Sequence, residues 1–164
     1  FESRETLIGA AVQENFARDI AGRAFAAPAG SLERIVERIE LSLGEEESRL
    51  CMQVVAELYA GPDSVVPAEI GAFLRGQYAD WLRQLRDRRQ LRPWIDMDTM
   101  ADDLVRYELA TINDWSNGRF KGRRPVEHLI SGLLSFALGL TEDVARAEIE
   151  HLMRAPVLSL VDPS

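Results

Sequence analysis

The sequence predicts an all-α fold, a bundle of about seven helices forming a single domain over residues 1–164. Three observations carry this. Apolar residues recur at spacings of three and four along nearly the whole chain, the period of a helix face. No stretch sustains the two-residue alternation of a half-buried strand. Pro and Gly gather in short clusters, AAPAG (26–30), AGPD (60–63), RPW (92–94) and NGRFKGRRP (117–125), and these separate the periodic segments.

The first helix is expected from Ser3 to about Phe25, with Ser3 as N-cap and Glu5 in the first turn, where the helix dipole favours a carboxylate. Its inner stripe reads Leu7, Ile8, Ala11, Val12 and Phe16, continued by Ile20 and Ala24. As one unbroken helix it would be about 33 Å long. Ser31 caps the second helix, whose apolar positions are Leu32, Ile35, Val36, Ile39 and Leu43. The third, over about Glu45 to Tyr59, turns Leu50, Cys51, Val54, Val55 and Leu58 inward.

Pro67 suits the opening turn of the fourth helix, where no N–H is needed. Its stripe runs Ile70, Phe73, Leu74, Gln77, Tyr78, Trp81, Leu82 and Leu85, with one polar residue, Gln77, in the middle. The fifth helix, about Asp98 to Asn117, has two stripes. Met100, Leu104, Tyr107, Thr111 and Trp115 form one; Ala101, Val105, Leu109 and Ile112 form the other. The sixth, Pro125 to Leu140, is apolar nearly all round and must be covered on every side. A last amphipathic helix over 142–154 places Val144, Ala145, Ile149, Leu152 and Met153 inward, and the tail PVLSLVDPS reads as extended.

Composition narrows the function. Apolar residues make up 46% and charged residues 28%, the balance of a globular protein. With 19 basic and 27 acidic side chains the net charge is −8, which repels phosphate and disfavours nucleic-acid binding by this stretch alone. One cysteine, Cys51, rules out an internal disulfide and fits a reducing, cytoplasmic setting. The opening residues are charged with no apolar run behind them, so no secretory leader is expected. The longest uncharged run, Leu129 to Thr141, is shorter than the roughly 20 residues of a membrane span.

Catalytic and metal signatures are missing. His128 and His151 have no partner at ligand spacing, no glycine-rich phosphate loop or nucleophile elbow occurs, and Cys51 has nothing beside it to lower its pKa. Neither an enzyme nor a cofactor is expected. Two other features point to binding. Gln77, Tyr107, Thr111, Tyr59 and Cys51 lie on inward stripes among Phe16, Phe73, Trp81 and Val55, a mixture that suits a mostly apolar ligand pocket. The alternative is that these groups satisfy one another. The sixth helix and the second stripe of the fifth suit a homodimer seam, with Val105, Leu109, Ile112, Val126, Ile130, Leu134 and Leu138 as its apolar part. Ser131, Ser135 and Gly139 form a row that lets a facing helix approach closely.

The residues then show a likeness. FESRETLIGAAV resembles the junction in TetR-type transcriptional regulators, where an aromatic ends the DNA-binding helices and Phe-x-Ser-Lys/Arg-Glu-x-Leu opens the linking helix. Phe1, Ser3, Arg4, Glu5 and Leu7 take those places. INDWSNGRF, a loop and VEHLISGLLSFALGL are similar to the paired helices by which such regulators dimerise. The likeness implies an effector-binding and dimerisation domain of a ligand-responsive regulator, usually a repressor. The family's helix-turn-helix head is expected upstream of Phe1, and DNA would be met only through it. Phe16 and Ile20 are the expected sensors on the first helix. A free-standing helical binding or scaffold protein with no DNA role is the alternative.

Overall fold

The computed structural model describes residues 4–61, 66–119 and 125–154. They form α1 (Arg4–Phe16), a π-helical turn (Ala17–Ala21), α2 (Leu32–Gly44), α3 (Glu46–Ala60), α4 (Ala68–Asp87), α5 (Met97–Ser116), α6 (Pro125–Leu140) and α7 (Asp143–Arg154). This is the expected helical bundle. No strand forms among the described residues; Leu91 and Thr141 make an isolated antiparallel bridge that ties the α4–α5 loop to the end of α6.

The expected start signals work where they are described. The Ser31 hydroxyl accepts from Arg34 N–H at 3.2 Å; α5 has a cap that was not anticipated, the Asp96 carboxylate accepting from Thr99 N–H at 2.8 Å. Ser3, expected to cap the first helix, lies outside the described residues, as do the basic loop residues 120–124 and the tail 155–164.

α5 is the centre of the bundle. It packs against α3, α4 and α6, while α2 lies across α3, α4 and α6, α1 rests on α3 and α4, and α7 on α6. With three neighbours α5 buries its second stripe fully, together with Leu104 and Thr111 of the first. Val105, Leu109 and Ile112 are therefore core residues of their own subunit, not a free second face.

The first helix departs from expectation. The α-helix stops at Phe16, and the following turn closes with a wider bond, Gly22 N–H to Ala17 O at 2.8 Å. The buried residues Val12, Phe16 and Ile20 are spaced by four. On an α-helix that spacing over-rotates by about 40° per step; a wider turn winds less per residue and brings Ile20 back under Phe16. Beyond Gly22 the chain is pulled onto α2. The Glu37 carboxylate accepts from Ala26 N–H at 2.8 Å and Ala27 N–H at 2.9 Å, and these two bonds hold it below the usual carboxylate range. Arg23 pairs with Glu45. Residues 22–25, expected in the helix, are thus a connector, and Ala24 is exposed.

The inner stripes are narrower than the spacing suggested. Leu7, Ala11, Leu50, Val144 and Met153 were expected inward and are exposed. Among the described residues no helix is long and apolar enough to cross a membrane.

Candidate functional site

The most buried polar groups converge on one point that the sequence reading missed. Arg38 of α2 lies fully buried and forms a two-pronged ion pair with Glu108 of α5, both N–H···O distances being 2.7 Å. The Tyr78 hydroxyl of α4 donates to Glu108 Oε2 at 2.7 Å. Arg38 Nε donates to Gln77 Oε1, also at 2.7 Å. Three helices are thus joined by one hydrogen-bonded network. Burial works against the Arg38 charge, but the Glu108 carboxylate outweighs it and keeps the guanidinium more firmly protonated than usual. Burial and then the same carboxylate push the Tyr78 phenol well above its ordinary value.

A signal for this network was present. Arg38 is three residues after Ile35 and four before Ser42, and Glu108 is four after Leu104 and four before Ile112. Each charge sits inside an inward stripe, and their signs are opposite.

The expected single pocket does not form as one space. Thr111 Oγ1 donates to Tyr107 O of its own helix at 2.8 Å. The Cys51 thiol reaches Val12 O at 3.7 Å. The Tyr107 ring meets Phe136 edge-on, with centroids 5.0 Å apart, and its hydroxyl end fills the space beside Gly132 that a side chain would take. Tyr59 lies against Arg106, and Val55 is sealed in the core. The bonds of these groups go to backbone carbonyls and to Arg38 and Arg106, not to one another's side chains.

Three clefts among the described residues take up some of the expected residues, each a different subset. Cys51 lines a groove of about 350 Å³ between α1 and α3, with Val12, Asn15, Arg18, Leu50 and Val54. Trp81 lines a smaller space of about 130 Å³ where α2, α4 and α7 meet. Phe73 and Gln77 line the third, about 300 Å³, between α2 and α4, with Ser31, Arg34, Ile35 and Asp80. Val55, Tyr59, Tyr107 and Thr111 line none of these three. Phe16 lies behind the third cleft, its ring meeting Phe73 edge-on with centroids 5.3 Å apart.

The Cys51 thiol is pushed up to about 11 by burial and by nearby Asp19, from an ordinary 9.0. Its protonated form is favoured in the folded state, as is that of Tyr78. The stability this represents is full below the ordinary value and is lost as pH rises through the folded one. Stability measured by urea denaturation should therefore decline from about pH 9 upward, and Cys51→Ala should flatten the first part of that decline. A flat profile to about pH 11 would contradict this burial of the thiol.

On α6, Ile130 and Leu134 are covered by their own subunit, and Val126 and Leu138 are half-covered. Of the expected dimer residues, Ser131, Ser135 and Gly139 are exposed, and beside them stands Phe136, 48% exposed. The outward face of α6 is therefore small residues around one aromatic, not a broad apolar sheet. The subunit hides most of this helix itself. Among the described residues no three His, Cys, Asp or Glu side chains gather at a metal-binding distance. No family model matches the chain, and neither a curated protein nor a solved structure does.

Proposed function

We propose that the chain is the effector-binding and dimerisation part of a ligand-responsive transcriptional regulator of TetR type, a cytoplasmic repressor whose DNA contacts lie in a head upstream of Phe1. The likeness of FESRETLIGAAV and of the paired α5 and α6 segments to that family motivates the reading. One structural observation carries the mechanism: Phe73, a wall of the α2–α4 cleft, touches Phe16 at the seam between α1 and the π turn.

A small, mostly apolar ligand in this cleft presses on Phe73. Phe16 moves with it, and the π turn, whose bonding register can reset, lets α1 tilt. Two heads carried by a dimer must meet half-sites about 34–36 Å apart, so a tilt of each α1 spoils the fit. The ligand acts only if it binds the two arrangements unequally. A chain extended upstream of Phe1 should bind a specific DNA site and release it on ligand addition, while residues 1–164 alone should not bind. An extended chain without sequence-specific DNA binding in a gel shift would sink the reading.

The dimer surface in this proposal is the outward face of α6, with Phe136, Ser131, Ser135 and Gly139 and the adjoining Tyr107 of α5. Ser135 is exposed and its hydroxyl is spent on Ser131 O of the same helix at 2.8 Å. Ser135→Arg should therefore convert dimer to monomer in sedimentation while leaving the melting temperature of the subunit nearly unchanged. A parent chain that sediments as a monomer at micromolar concentration removes the dimer from the proposal.

A further inference from the structure

We infer that the α2–α4 cleft selects ligands by a carboxylate, and that the ligand class is small carboxylic acids with an apolar or aromatic body. This rests on the reading of that cleft as the effector site and goes beyond it by naming the chemistry recognised.

The inference comes from which polar groups are already spent. Arg38 Nε–H can only donate, so the Gln77 oxygen must face it, at 2.7 Å. That fixes the amide orientation. The Gln77 nitrogen, with two N–H donors, has no hydrogen-bond partner among the described residues, and the side chain lines the cleft. The buried ion pair thus sets the polarity of a group at the cleft wall.

Arg34 is the second donor. Its guanidinium lies over the Phe25 ring at 4.3 Å and gives one hydrogen bond to Ala27 O at 3.3 Å. No carboxylate stands within ion-pair distance of it among the described residues. The acceptors in the cleft are occupied. The Ser31 hydroxyl donates to Pro28 O at 2.8 Å and accepts from Arg34 N–H at 3.2 Å. Asp80 at the rim pairs through one oxygen with Arg83 at 2.6 Å, out in solvent. The N-terminus of α2 adds its partial positive charge at Ser31. What remains for a ligand is one cation and one amide donor, a pair that suits the two oxygens of a carboxylate.

Phe73, Ile35 and Ala72 supply the apolar walls, and Gly76 leaves the floor open. A Cβ built on Gly76 meets nothing within 4 Å, so a side chain added there projects on the cleft side without a clash. The volume, about 300 Å³, is at the lower end for small-molecule sites.

The test uses residues 1–164 and matched pairs of probes, each acid beside its primary amide: phenylacetate, phenylpropanoate, indoleacetate and octanoate, titrated by calorimetry. At least one acid is expected to bind, about tenfold or more tighter than its amide. Arg34→Gln should erase that preference. Gln77→Glu keeps an acceptor for Arg38 but turns an acceptor to the cleft, and should weaken the acid by at least about tenfold. Gly76→Leu should abolish binding while keeping the fold, since leucine is the better helix former. Amides that bind as well as acids, acid binding that survives Gly76→Leu, or no acid bound at millimolar concentration would each overturn the inference. The regulator reading fails separately. Acids that bind the cleft but leave the DNA affinity of the extended chain unchanged sink that reading and leave the acid site standing. DNA release by amides alone does the reverse.

Discussion

Glu108→Gln is expected to lower the stability of the fold by about 3–5 kcal/mol. The substitution keeps the shape of the side chain but removes the carboxylate that Arg38 meets at 2.7 Å on both prongs. The guanidinium is left charged and fully enclosed. Its alternatives are to stay unpaired or to drag α2 off α5 into water, and each is costly. A loss of this size is about a fifth or more of the stability of a typical domain. Urea denaturation of the parent and the variant measures it, and a difference below about 1 kcal/mol would mean that water reaches the pair. Replacing both charges, as in Arg38→Met with Glu108→Leu, should recover only part of the loss. The Gln77 carbonyl and the Tyr78 hydroxyl then lose their partners, at about 1–3 kcal/mol for each group that stays dry. Adding Tyr78→Phe removes one of those penalties and should return stability toward the parent.

Phe16→Ala should cost about 3–5 kcal/mol, and it bears on function as well as stability. Phe16 is buried at the end of α1, where the helix changes its winding, and it holds the edge of Phe73. Truncation leaves a cavity and frees the π turn from the ring that seats it. Phe16→Leu separates the two roles. It fills most of the volume, so its cost should stay below about 1.5 kcal/mol, yet it removes the aromatic edge contact. In the proposed regulator Phe16→Leu binds ligand in the cleft as the parent does but responds to it weakly on DNA. Equal ligand response in parent and Phe16→Leu would show that the relay runs through another residue.

Much of the architecture was legible because its causes are local. Ser31 announces the start of α2 by chemistry that acts within three residues; Asp96 does the same for α5 but was passed over as a cap. The Pro and Gly clusters mark the connectors in the same way. The end of the first helix was not legible, because a four-residue spacing from Phe16 to Ile20 is written identically for an α-turn and a wider one. What stops the helix is Glu37, a residue of the next helix, bonding to Ala26 and Ala27.

The candidate site was harder to read for a related reason. Periodicity reports which residues face inward but not which neighbour they face. Gln77 was read as an inward polar group that would orient a ligand, whereas its oxygen accepts from Arg38. Val105, Leu109 and Ile112 read as an outer stripe because α3, α4 and α6 all crowd onto α5, a fact of tertiary placement. Arg34 carries no periodic mark at all. Its place at the cleft follows from the AAPAG loop folding back against α4, where the Gln84 amide donates to Ala29 O at 2.9 Å and leaves no room for a side chain on Gly30.

The link between Arg38 and Glu108 spans 70 residues of chain, and this sets an order on assembly. A ribosome delivers α2 long before α5, so the early part of the nascent protein carries a cation with no anion to receive it. α2 must keep that side in water until residue 108 has emerged. Premature compaction of the leading half is thereby discouraged, and docking of the second helix awaits the arrival of the fifth.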